Sequence, residues 1–191
     1  MPNSVLFLPC AHNGKKFKMD ILIQTIGIIG AIFAFLAYQF NKHKTIMLFK
    51  TLSEVSFAIQ FTLLGAYTGL AMNIIGCTRN FTFAYLVSRK KNTAPFIVLF
   101  AVIALIIGII TWESAISLFA ISGKIITTIA FGMKKPQTVR FFALPASLCW
   151  IIYDILYFSI GGIITELFTV ISIAIGTWRY YVSNKNDKEV S

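Results

Sequence analysis

Apolar runs recur seven times along the chain, at roughly 20–40, 46–66, 69–88, 95–112, 115–133, 139–158 and 161–182. Each approaches the ~20 residues an α-helix needs to cross a bilayer, so each is expected to form one membrane-spanning helix. The connections are short and of two kinds. NKHK (41–44), SRKKN (88–92) and KKPQTVR (134–140) are basic, whereas GAYTG (65–69), WESA (112–115) and SIGG (159–162) carry no basic residue. The kinds alternate, and seven spans put all basic loops on one face together with Arg179, Lys185 and Lys188 of the C-terminal tail. Under the positive-inside bias that face is cytoplasmic, which predicts the N-terminus outside and the C-terminus inside.

Composition points the same way. The 191 residues are 57% hydrophobic and only 13% charged, against roughly 25% charged in soluble domains. An all-α polytopic protein of a bacterial inner (cytoplasmic) membrane is expected, with the lipid bilayer as its first partner. The net charge of +10 is concentrated in the loops, so it reads as topology and not as a nucleic-acid surface. Cys10, Cys77 and Cys149 lack metal or redox spacing, and the two within apolar runs read as small hydrophobes. His12 and His43 lie outside the spans without metal-ligand partners, so neither metal nor cofactor is expected. Residues 1–18 fit poorly: VLFLP is too short to span, and Lys15, Lys16 and Lys18 fall on the outer side. A translation start at Met19 would account for both.

Shifted by 93 positions, the chain matches itself without a gap over about sixty residues. The telling pairs are Lys42 with Lys135, Thr45 with Thr138 and Gly69 with Gly162, because each pair marks the same loop of its half. The expected organisation is an N-terminal extension at 1–18, a first three-helix repeat at 19–92 and a linker helix at 93–113. A second three-helix repeat follows at 114–183, and a polar tail at 184–191. One linker helix gives both triplets the same direction, and in transporters built this way solute sites lie near the midplane between repeats.

This three-plus-one-plus-three plan resembles the SWEET sugar facilitators and the wider PQ-loop group. The stretches FLAYQFNKHK, FTLLGAYTG, AMNIIGCTRN and SIGGIITELF more closely resemble the bacterial inner-membrane proteins called YgjV, from Met19 to about Tyr181. The SWEET likeness implies a small-solute carrier. That pattern places an asparagine on both the third and the seventh helix; the symmetric positions here hold Asn73 and Glu166. Pro136-Gln137 occupies the loop where a PQ motif would sit.

Polar residues inside the spans are the candidate site. A charge at the bilayer centre costs about 2.5–3.5 kcal/mol on insertion scales, so such groups face the bundle interior or a wet cavity. Arg79, Asn80 and Lys124 fall near mid-depth, Glu54 slightly off centre and Lys50 nearer the cytoplasm. Asn73, Asp154 and Glu166 fall in the outer half. Lys50 and Glu54 share a helix face, and Glu54 is expected to pair with Lys50, Arg79 or Lys124. On the sixth helix Trp150, Tyr153 and Asp154 share a face, and on the seventh Glu166, Thr169, Ser172, Ile173 and Gly176 do. Together these predict a central chamber for a small polar or anionic solute. Its binding residues would be Asn73, Arg79, Asn80, Lys124, Trp150, Asp154 and Glu166, with Glu54 and Lys50 as charge partners.

The expected function is therefore a facilitator or transporter, not an enzyme, and self-association is left open. Alternatives are a non-transporting scaffold or accessory subunit and, further off, a membrane-embedded enzyme, for which Lys124 with Glu54 is the one acid–base pairing available.

Overall fold

The computed structural model describes residues 13–37, 40, 43–132 and 136–189. These form seven α-helices and, among the described residues, no strand: α1 (Asn13–Ala37), α2 (His43–Leu63), α3 (Tyr67–Ser88), α4 (Ala94–Ile110), α5 (Ser117–Gly132), α6 (Pro136–Leu156) and α7 (Ile160–Glu189). Order and number follow the hydropathy pattern, while the two ends of the chain do not. Helix α1 starts ahead of residue 20, and α7 continues past 182 to Glu189, through most of the segment expected as a tail. Hydropathy marks where lipid touches a helix; backbone hydrogen bonding continues beyond it where lysines, which are good helix formers, follow or precede the apolar run. Cys10, His12, Lys42 and Lys135 lie outside the described residues. Of Lys15, Lys16, Lys18, His43, Pro136, Gln137, Thr138, Gly176, Arg179, Tyr180, Tyr181, Lys185 and Lys188, only the helical backbone is described.

Helix α2 packs against α1 and α3, and α6 against α5 and α7. The two groups meet where α1 touches α7 and where α3 touches α5, with α4 lying on α3 and α5. The outer surface is apolar: Val98, Val102, Ile106 and Ile109 of α4 are exposed, as are Ile28, Ile32 and Phe35 of α1 and Ile164, Leu167 and Ile171 of α7. Arg79 and Asn80, by contrast, are 0% exposed, and Lys124 and Asp154 are 2% exposed. Charge inside and hydrocarbon outside reverses the pattern of a water-soluble fold.

Two small residues set a close helix approach. A Cβ on Gly161 would run into the backbone of Gly27, so α1 and α7 touch main chain to main chain. Beside this contact, Phe61 stacks on Trp150 with centroids 6.5 Å apart and meets Tyr153 edge-on at 5.4 Å. The turns at this end are tied together. Glu113 accepts from the Tyr67 N–H at 3.0 Å and from the Tyr157 hydroxyl at 2.9 Å. The Gly69 N–H donates to the Tyr153 hydroxyl oxygen at 2.8 Å. Ser159 donates to Gln60 at 3.1 Å, and Gln24 donates to the Phe158 carbonyl at 2.8 Å. All three loops without basic residues thus share one hydrogen-bonded end of the bundle.

Candidate functional site: a polar cavity inside the bundle

On α2, Lys50, Ser53, Glu54, Phe57 and Phe61 recur at helical spacing and face inward as one stripe. On α6, Ala143, Ala146, Ser147, Trp150 and Asp154 form a second stripe, and Gly162, Thr165, Glu166 and Thr169 of α7 a third. With Ala34 of α1, Asn73 of α3 and Lys124, Thr127, Ala130 and Phe131 of α5, they enclose a cavity of about 130 Å³. The cavity extends from Lys50 and Ala143, nearer the basic loops, to Asp154 and Gly162, nearer the tied end.

Glu54 is the electrostatic centre of one wall. It reaches the interior because Gly76 has no side chain; a Cβ there would collide with the Glu54 carboxylate. One carboxylate oxygen accepts from Lys124 Nζ at 2.8 Å and the other from Arg79 Nη2 at 3.2 Å. Arg79 also donates to Asn80 Oδ1 at 3.0 Å and Thr128 Oγ1 at 3.3 Å, and its guanidinium lies 4.7 Å from the Phe131 ring centroid. Lys124 Nζ lies 5.3 Å from the Trp150 ring centroid. Two buried cations thus share one anion and have further polar or aromatic neighbours, as burial demands.

The opposite wall is different. Asp154 lies over the α carbon of Gly162, where a Cβ would meet its carboxylate. Among the described residues its Oδ1 has no hydrogen-bond partner. Glu166 also lines the cavity, hydrogen-bonded to Ser147.

Of the residues expected to bind solute, Asn73, Lys124, Trp150, Asp154 and Glu166 line this cavity, as do the charge partners Glu54 and Lys50. Arg79 and Asn80 do not. They lie behind the lining, because Glu54 enters over Gly76 and draws the guanidinium to itself; Asn80 Oδ1 turns to Arg79, and its Nδ2 has no partner among the described residues. Glu54 pairs with Arg79 and Lys124 together, not with one alternative. Tyr153 turns from the cavity face to Gly69, and Ser172 is exposed instead of joining Glu166 and Thr169. Asn73 lines the cavity while its amide donates one turn back to the Gly69 carbonyl at 2.9 Å. Among the described residues no group of three or more His, Cys, Asp or Glu could hold a metal ion.

Sequence reasoning passed over Phe57, Ser147 and Phe61. The shift of 93 positions that carries Trp150, Glu54 and Asp154 onto them was the available signal. Glu113 gives no signal in the sequence, because the partners that make it a clasp lie 44 and 46 positions away.

A family model described as Imp-YgjV, bacterial inner membrane protein, matches residues 21–184. No curated protein and no solved structure matches the chain.

Proposed function

The chain belongs to the Imp-YgjV family of bacterial inner membrane proteins, and from that premise we propose that it is a multi-pass facilitator or transporter of a small polar solute, bound in the cavity between two parallel three-helix repeats. One observation carries this reading. The 93-position shift found in the sequence also takes one wall of the cavity onto the other: Ala34 to Thr127, Ser53 to Ala146, Glu54 to Ser147, Phe57 to Trp150, Phe61 to Asp154 and Asn73 to Glu166, every one a lining residue. Close packing repeats likewise. Gly30 meets Phe57 and Gly123 meets Trp150; Gly69 meets Phe61 and Gly162 meets Asp154. A cavity on the axis relating two parallel repeats is where such carriers bind their cargo.

The loop charges orient the bundle with its N-terminus out and its C-terminus in, so the tied end faces outward. A cavity of about 130 Å³ is comparable to the ~150 Å³ that admits benzene. The solute in this conformation is therefore nearer six non-hydrogen atoms than a hexose. Trp150 and Phe57 supply apolar walls; Asn73, Lys124, Asp154 and Glu166 supply polar contacts, and the role is not enzymatic.

A non-transporting scaffold is the second reading, favoured by the full pairing of Arg79 and Lys124 through Glu54. Uptake into vesicles of reconstituted protein, over a panel of small polar solutes, separates them. Saturable flux reduced by Glu166→Gln and Trp150→Ala is expected. Absence of saturable flux across the panel, with correctly folded protein, rejects the carrier.

A further inference from the structure

Three carboxylates line the cavity: Glu54 holds two cations, Glu166 has the Ser147 hydroxyl, and Asp154 has the Ser159 hydroxyl beside it. Asp154 is 2% exposed, and its Oδ1 has no hydrogen-bond partner among the described residues. An ionised carboxylate held away from water without a donor or cation on one oxygen is costly to maintain. A proton on that oxygen removes the cost, because a carboxylic acid carries its own donor and no net charge.

We propose that Asp154 is a proton-binding site of the cavity, that it exchanges its proton with water in the cavity or with Glu166, and that this exchange is coupled to solute passage. The site stands on the geometry alone; the coupling rests on the transporter reading above. In the step itself, an O–H bond forms at Asp154 Oδ1 as one breaks in a hydronium ion or in protonated Glu166, and release reverses it. No electrons change hands.

The surroundings favour a proton over a metal ion. A hard metal cation seeks about six or more oxygen ligands, whereas the Asp154 carboxylate is pressed against Gly162 with one oxygen unmatched. A proton needs that oxygen alone. The titratable and charged groups around the pair are Lys50 and Glu54 from α2, Arg79 from α3 behind Glu54, and Lys124 from α5. Tyr153 and Tyr157 lie on the Asp154 side, and α1 presents Ala34. Glu54 satisfies both Arg79 and Lys124, so the nearest acid to Asp154 able to share a proton is Glu166.

Infrared difference spectroscopy on the full chain in lipid vesicles, stepped through pH without solute, reads the carbonyl stretch of a protonated carboxyl group. A pH-dependent band is expected that moves when aspartate is isotopically labelled at its carboxyl carbon. It is lost in Asp154→Asn and kept in Glu113→Gln. A band insensitive to the label, or one that survives Asp154→Asn, overturns the site. So does a band governed by sodium concentration at constant pH, which would make a metal ion the ligand. The labelling arm uses the unmodified chain, so a misfolded variant does not remove the test.

Coupling is read with whichever solute gives saturable flux: an inward pH gradient is expected to accelerate uptake, and Asp154→Asn to abolish that acceleration. Flux indifferent to the gradient overturns the coupling and leaves the carrier standing. Absence of flux with every solute overturns coupling and carrier together, while the band still decides the site.

Discussion

Glu54 and Asp154 sit on α2 and α6, each packed between the helices that precede and follow it, yet their surroundings are opposite. Glu54 lies between two cations, at 2.8 and 3.2 Å. Asp154 has an oxygen without a hydrogen-bond partner among the described residues. The halves are alike in glycines and aromatics and unlike in charge: where the second half places Asp154, the first places Phe61, and where the first places Glu54, the second places Ser147. Around the cavity, the packing glycines are therefore shared between the halves and charge is not. The paired charge ties α2, α3 and α5 together, whereas Asp154 keeps one oxygen unmatched among the described residues.

The sharpest way to break this contrast is to neutralise each acid. Glu54→Gln leaves Arg79 and Lys124 without their common anion, which is expected to destabilise the bundle by about 3–5 kcal/mol; Asp154→Asn is expected to change stability little. Unfolding of the purified protein in detergent checks both, and equal losses would erase the distinction. Gly76→Ala comes next. Its methyl group would displace the Glu54 carboxylate from the ion-pair position, at an expected cost of about 1–3 kcal/mol, and the double variant with Glu54→Gln should lose less than the sum.

Tyr153→Phe removes the acceptor for the buried Gly69 N–H in the first turn of α3. A loss of about 1–2 kcal/mol is expected, visible as faster hydrogen exchange at that end of the bundle. The smallest effect belongs to Glu113→Gln. The side chain is exposed, and the stability change is expected to stay within ~0.5 kcal/mol. A large change there would mean that the clasp, and not the Glu54 cluster, holds the halves together.

Much of this arrangement was legible in the residues themselves. Helix number, the inward turn of Lys124, Asp154 and Glu166, and the pairing of Glu54 all follow from the high cost of charge in hydrocarbon, which leaves few places to put it. The position of Arg79 was not legible. Depth along a helix is one coordinate, and whether a long side chain reaches a cavity or stops against a neighbour depends on what the facing helix inserts. Here Gly76 admitted Glu54, a contact spanning 22 positions that no periodicity reports. Ser172 erred in the other direction: it shares the Glu166 stripe on a helical wheel, but it is exposed together with Ile171, Ala174 and Ile175. Helix α7 ran beyond its hydrophobic length for a related reason, since apolarity tracks the surrounding medium and not the backbone.

Ala34 and Thr165 line the polar cavity and also a second, almost wholly apolar hollow of about 270 Å³ between α1 and α7, bounded by Ile28, Ile32, Phe35 and Phe168. In a bilayer that hollow adjoins the acyl chains. At this point the insulation between a charged interior and oil is a single methyl group beside a single threonine side chain.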